Sequence, residues 1–297
     1  MRKRRTDLAL EAHDFLAFGG NFSLSGVKIK KENAGGCTLT AVDIACEEAG
    51  RALGKPCGRY VTLDLPSRAQ DSAVFRGVVQ LLAQELQKLL ARCGGGKNVL
   101  VAGLGNAAMT PDAIGPAAAE QVLVTRHLKS EAAFAAFSSV SVLLPGVLGK
   151  TGVETAELVR GAVETVHPDC VIAVDALASA RLSRVCSTVQ LADTGIVPGS
   201  GVGNHRNALN EETLGVPVIA IGVPTVVDAA TLSIDVLEEA GVTDFDVSAL
   251  KSCAPGVMVT PRDIDAQIVE LARIIGCGIN LALHPQLDFE TLSALVG

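Results

Sequence analysis

Five short apolar runs, at 98–102, 139–144, 170–174, 187–191 and 216–221, constrain the fold of this 297-residue chain more tightly than anything else in it. All five are a strand's length; 98–102, 170–174 and 216–221 are rich in Val, Ile, Leu and Ala and lack the polar alternation of a half-exposed strand, while 139–144 and 187–191 mix such residues with Ser, Thr and Gln. Such runs read as strands covered on both faces, the setting of a parallel sheet between two layers of helices. The segments 111–127, 153–166, 226–240 and 261–283 are predicted helices, interleaved with those strands. The expected class is therefore α/β, with a mainly parallel sheet flanked by helices on both faces.

The N-terminal third has a different texture. Residues 1–20 read as an arm leading into a short helix. From 24 to 65, the stretches Val27-Lys-Ile-Lys30, Thr38-Leu-Thr-Ala-Val-Asp-Ile44 and Tyr60-Val-Thr-Leu-Asp-Leu65 alternate and are separated by turn residues, which predicts a small antiparallel β-rich section. A long amphipathic helix follows, its stripe formed by Val74, Val78, Leu81, Leu82, Leu86, Leu89 and Leu90 and its end marked by Gly94-Gly-Gly96.

Composition narrows the function. The chain is 48% hydrophobic with a mean hydropathy of +0.38. Its apolar runs are nevertheless broken by Asp, Gly or Pro well short of the roughly 20 residues that a membrane-spanning helix needs, so no membrane association is expected. A net charge of −7, no Trp and a single Tyr, Tyr60, argue against nucleic acid, whose binders carry basic faces and stacking aromatics. The basic Arg2-Lys-Arg-Arg5 is followed by a stretch too acidic for a signal peptide. Eight Cys without a C-x-x-C pair, among them Cys170 and Cys277 in apolar segments, read as reduced core residues of a cytoplasmic chain.

Two aspartates stand where open α/β folds put their chemistry, at the carboxyl ends of strands. Asn98-Val-Leu-Val-Ala102 runs into Gly103-Leu-Gly-Asn106 and then Thr110-Pro-Asp-Ala-Ile-Gly-Pro116. Thr110 suits an N-cap and Pro111 the first helical position, so Asp112 is expected in a first helical turn, where the helix dipole favours a charged carboxylate. Asp175 closes Val171-Ile-Ala-Val-Asp175. Alone, either is as readily a helix-start acid or a loop hydrogen-bonder. Together, in one partly dry cleft, two carboxyls cannot both ionise easily; one pKa rises and the pair can act as base and acid.

Weaker signals lack their context. Gly103-Leu-Gly-Asn-Ala-Ala108 fits the loose dinucleotide fingerprint, but Thr110-Pro111 delays the helix past the glycines. Asp193-Thr-Gly195 copies the triplet of two-lobed aspartic proteases without their all-β architecture, which favours a structural role for Asp193. Gly149-Lys-Thr151 lacks the upstream glycine of a phosphate loop, Leu144 standing in its place. His127, after Thr125-Arg126 at an expected helix end, reads as a dipole partner. The loop 193–204 is rich in Gly, and backbone N–H groups around Gly199, Ser200 and Gly201 are candidate oxyanion donors, with His205 the histidine nearest to them.

Taken together, Arg5-Thr-Asp-Leu-Ala-Leu-Glu-Ala-His13, the Asp112 segment, Leu123-Val-Thr-Arg-His-Leu128, Pro145-Gly-Val147, Thr151-Gly-Val-Glu-Thr155 and Ile172-Ala-Val-Asp-Ala-Leu-Ala-Ser179 resemble the germination proteases of spore-forming bacteria. The likeness continues through Asp193-Thr-Gly195, Gly203-Asn204, Thr213 to Asp228 and Met258-Val-Thr-Pro261, almost the whole chain. It implies a fold related to hydrogenase-maturation proteases, a homotetramer, and an endopeptidase that starts degradation of small acid-soluble spore proteins in the spore core. It also implies essential aspartates at Asp112 and Asp175, and a zymogen that cuts itself between Asp7 and Leu8. Residues 1–7 would then be a short pro-segment and 8–297 a single peptidase domain containing the β-rich section. The pro-segment is short for the family and the stretch 229–257 abbreviated. No cofactor is expected. Two other readings carry the same residues: a divalent metal held by the two carboxylates, though no His ligand can be assigned, or a non-catalytic module whose glycine loops hold a nucleotide or phosphate.

Overall fold

The computed structural model describes residues 6–17, 24–66, 72–199, 206–242 and 244–296. Four strands form its parallel centre: β4 (Asn98–Leu104), β5 (Ser139–Gly146), β6 (Cys170–Ser179) and β8 (Val218–Asp228). An antiparallel wing, β1 (Val27–Ala34), β2 (Cys37–Ile44), β3 (Gly58–Asp64) and β7 (Thr188–Ala192), continues the same sheet through the β7–β8 pair. The order is β1-β2-β3-β7-β8-β6-β4-β5, with β9 (Met258–Val259) antiparallel to the end of β8. The sheet is thus mixed: the run at 187–191 is a strand that turns back and joins the N-terminal section to the parallel half.

One face carries the larger core. Here α3 (Ser72–Arg92) packs on α10 (Ile264–Leu283), and both cover Val99, Val101, Ile172, Val174, Ile219 and Ile221. The stripe read from the sequence is the buried one: Val78, Leu82, Leu86 and Leu89 are fully enclosed, each such aliphatic side chain contributing roughly 1.5–3 kcal/mol. By length and hydropathy alone α10 could cross a bilayer; here it packs in the interior of the domain. On the other face, α6 (Thr155–Val166) covers Leu100, Ala102, Val171 and Ala173. There α1 (Ala9–Ala17) and α2 (Glu47–Leu53) pack over the wing.

Two predicted helices change. In place of 111–127 there is a 3-10 turn, Thr110–Asp112, then the six-residue α4 (Ile114–Ala119) and further turns. The chain after α4 has other hydrogen-bond partners: Leu123 N–H donates to Asn280 Oδ1 at 2.8 Å and Thr125 N–H to the Val140 carbonyl at 3.1 Å. His127 accordingly sits in a 3-10 turn, Arg126–Leu128. In place of a helix from 226, the β-branched Thr225-Val-Val227 prolongs β8 to Asp228, which then caps α8 (Ala229–Glu239) by accepting the Thr231 N–H at 3.0 Å. The eight Cys are free thiols, but Cys46, Cys57 and Cys253 are exposed rather than in the core.

Candidate active site

β6 outruns its neighbour β4. Their pairing ends at Gly103↔Val174, whereas β6 stays paired to β8 as far as Ser179↔Val227. Asp175 is therefore the first residue of β6 whose β4 side is open. It lies within a strand, rather than at its end as expected, opposite Gly222 of β8. The chain leaving β4 bends at Gly105, whose φ of +107° suits glycine, and a Cβ there would lie 2.1 Å from the Asp112 carbonyl oxygen. This close approach lets the Asn106 N–H donate both to that carbonyl at 3.1 Å and to Asp112 Oδ2 at 2.8 Å. Thr225 Oγ1 donates to the Pro111 carbonyl at 2.6 Å, pinning the turn to β8.

Asp112 and Asp175 line one cavity of about 440 Å³ with Asn106, Gly199, Arg206 and Thr225. Burial raises the pKa of both. For Asp175, enclosed with 4% of its surface exposed, burial and then the charge of Asp112 push it up to about 8, against the Ala176 N–H at 2.9 Å. For half-buried Asp112 burial also leads, opposed by the Asn106 N–H and by Arg206. The expected stabilisation of a charge at Asp112 is not what the environment provides: burial outweighs the Asn106 N–H and Arg206, and the residue stands in a three-residue turn instead of a long helix. What remains is a pair in which burial and the neighbouring charge of Asp112 favour the protonated form of the more deeply buried Asp175.

Of the other expected residues, Gly199 lines the cavity. Ser200, Gly201 and His205 lie outside the described residues. Asp193 stands apart from the cavity, accepting the Arg59 N–H at 2.7 Å and pairing with Arg92 at 2.9 Å. Asp7 and Leu8 dock against the end of β6: Asp7 N–H donates to the Ala178 carbonyl at 3.0 Å, Asp7 Oδ2 accepts the Ala178 N–H at 2.9 Å, and Leu8 is buried. The Asp7 charge reaches far enough to add to the rise at Asp175. Sequence reading missed Arg206 and Thr225. A base directly after His205, in a glycine loop already suspected, was the available signal for the first; nothing local marked the second. Among the described residues no three His, Cys, Asp or Glu side chains gather as a metal site.

A sequence profile of the germination protease family matches residues 9–241. Similar relatives are the germination proteases of Clostridium perfringens, 40% identical over 97% of this chain and 98% of that one, and of Caldanaerobacter subterraneus subsp. tengcongensis, 41% identical over 98% of each. That of Bacillus cytotoxicus is 39% identical over 98% of this chain and 96% of the relative. Among solved structures, a nickel-iron hydrogenase maturation protease from Thermococcus kodakarensis aligns with a TM-score of 0.37 at 19% identity, covering 66% of this chain and 98% of that one.

Proposed function

The chain belongs to the germination protease family, and from that footing we propose that it is the endopeptidase that opens the degradation of small acid-soluble spore proteins. It is made as a zymogen that removes residues 1–7 by cutting between Asp7 and Leu8, and it works as a homotetramer in the spore core. One observation carries the chemical part: a carboxyl from within β6 and one from the turn after β4, both with raised pKa, line one cavity.

In this reading Asp112 takes a proton from a water molecule as that water attacks the peptide carbonyl. Asp175 begins protonated, hydrogen-bonds the developing oxyanion, and the proton gained by the pair then passes to the leaving amine as the C–N bond breaks. The positive charge of Arg206 opposes the rise in pKa at both carboxyls and so helps Asp112 to stand ionised as the base. The Asp7 contacts support a substrate with an acidic residue before the cut.

The test is cleavage of purified small acid-soluble spore protein by wild type, Asp112→Asn and Asp175→Asn. Loss of cutting in each variant, with its circular dichroism unchanged, is the expected result. Substantial activity in both would reject the dyad. Chelator treatment of the active protein is expected to leave the rate unchanged; loss with rescue by added divalent metal would replace the acid mechanism by a metal-assisted one.

A further inference from the structure

A second cavity, of about 410 Å³, adjoins the first, and Leu177 belongs to the walls of both. Leu177 lies over Gly222, where an added Cβ would come within 2.3 Å of its Cδ1. Thr6 and Asp7 lie in this second cavity. The Asp7 carbonyl, the one that would be attacked in cutting Asp7–Leu8, accepts hydrogen bonds from Lys55 Nζ at 2.7 Å and Gln190 Nε2 at 3.4 Å. The same Gln190 side chain turns its Oε1 to the Ala9 N–H at 2.8 Å. One carboxamide thus meets the Asp7 carbonyl and, two residues on, the N–H that opens α1, independently of the side chains between. The acid itself is met on the other side by the Ala178 N–H.

The placement ties these groups to the dyad. Gln190 pairs across β7–β8 with Gly222, and Gly222 pairs across β8–β6 with Asp175. Residues in register on neighbouring strands share a face, so Gln190 and Asp175 project from the same side of the sheet, two strand spacings or about 10 Å apart. The intervening residue has no side chain. Lys55 arrives from the loop after α2, half-buried; burial holds its pKa below the usual lysine value, and the carboxylates of Asp7 and Glu11 oppose that fall. Main-chain contacts of this kind suit any extended peptide with an acid at one position.

We propose that Lys55 and Gln190 are the peptide-positioning residues of this protease, Lys55 gripping the carbonyl of the acidic residue before the cut and Gln190 spanning from it to the second N–H beyond. Thr6 to Ala9 occupy that track in the uncut chain. This assignment rests on the peptidase reading above and specifies how its substrate is held.

The experiment follows self-cutting of the full chain by mass spectrometry, as the appearance of a product beginning at Leu8, in wild type, Lys55→Met, Lys55→Arg and Gln190→Leu, with melting temperatures measured in parallel. Lys55→Met and Gln190→Leu are expected to cut about 10- to 100-fold more slowly, the range for losing one hydrogen bond to a developing charge. Lys55→Arg restores most of the rate, and melting temperatures stay within about 2 °C of wild type. Unchanged cutting in both variants overturns the assignment and leaves the peptidase reading standing. Slow cutting that follows a fall in melting temperature and is not rescued by Arg reduces the two residues to structural supports. A wild-type chain that degrades spore protein but never yields the Leu8 end overturns the register of the arm, and this assignment with it; a wild type that cuts neither rejects the peptidase reading itself.

Discussion

Replacing Asp175 by Asn isolates the stability that the site gives up for its chemistry. Burial and Asp112 move this carboxyl from 3.8 to about 8. The sign follows from proton counts. Below about pH 4 the folded and unfolded chains both carry the proton, and the substitution changes little. Between about pH 4 and pH 8 the unfolded chain releases its proton while the folded chain keeps it, so wild-type stability falls as pH rises. Asn imitates the protonated form and does not titrate; its Oδ1 can still accept the Ala176 N–H that Asp175 accepts at 2.9 Å. At about 1.4 kcal/mol per pH unit, a shift of this size sets a ceiling of roughly 6 kcal/mol, part of it repulsion from Asp112. Urea unfolding of both proteins at pH 4.5 and pH 8.5 reads the difference. Asp175→Asn is expected to match wild type within about 1 kcal/mol at the lower pH and to exceed it by about 2–5 kcal/mol at the higher. An offset independent of pH, or a variant less stable at pH 8.5, would refute the claim that this carboxyl is held protonated.

Gly105→Ala places a Cβ 2.1 Å from the Asp112 carbonyl at a φ of +107°; it should displace Asp112, lower stability by roughly 1–3 kcal/mol and abolish cleavage, as read by thermal melting and a substrate assay. Glu11 is fully buried and accepts from Ser179 Oγ at 2.7 Å and from the Ala180 N–H at 2.8 Å, so Glu11→Leu should cost roughly 3–5 kcal/mol in denaturant unfolding by stranding donors in the loop after β6. His284 is buried against Phe137, ring centroids 5.0 Å apart, and burial depresses its pKa to about 4. Wild type should therefore lose stability as pH falls from about 6.5 to 4, where the unfolded chain takes up a proton that the folded chain refuses. His284→Phe should flatten that limb of a pH–melting curve; an identical limb in both proteins would exclude His284 as its source.

Local pattern was enough for much of this molecule. The buried stripe of α3, the five strand runs and the alternation of 27–65 follow from side-chain periodicity, which is a property of consecutive residues and survives into any fold that buries them. The two aspartates drew notice for local reasons: Asp175 follows directly on Val171-Ile-Ala-Val174, and Asp112 lies in the Thr110-Pro turn after 98–102. The failures are equally physical. Residues 111–127 have helical composition, but Asn280, more than 150 positions away, offers Leu123 a hydrogen bond that the helix would forgo. Val226 and Val227 fall at the start of the predicted helix 226–240, and their partners on β6 and β9 decided for a strand.

By itself, the sequence determined the α/β class and the order of most elements, because these depend on composition and spacing along the chain. Tertiary structure alone decided that β7 runs antiparallel and joins both halves of the sheet, that Asp175 lies in an enclosed crevice opened by the early end of β4, and that Arg206 faces it. It also decided that Gln190 meets Ala9 across 181 positions of chain. Proton affinity and hydrogen-bond partnership depend on what surrounds a group in space, and that is fixed only when remote segments pack together.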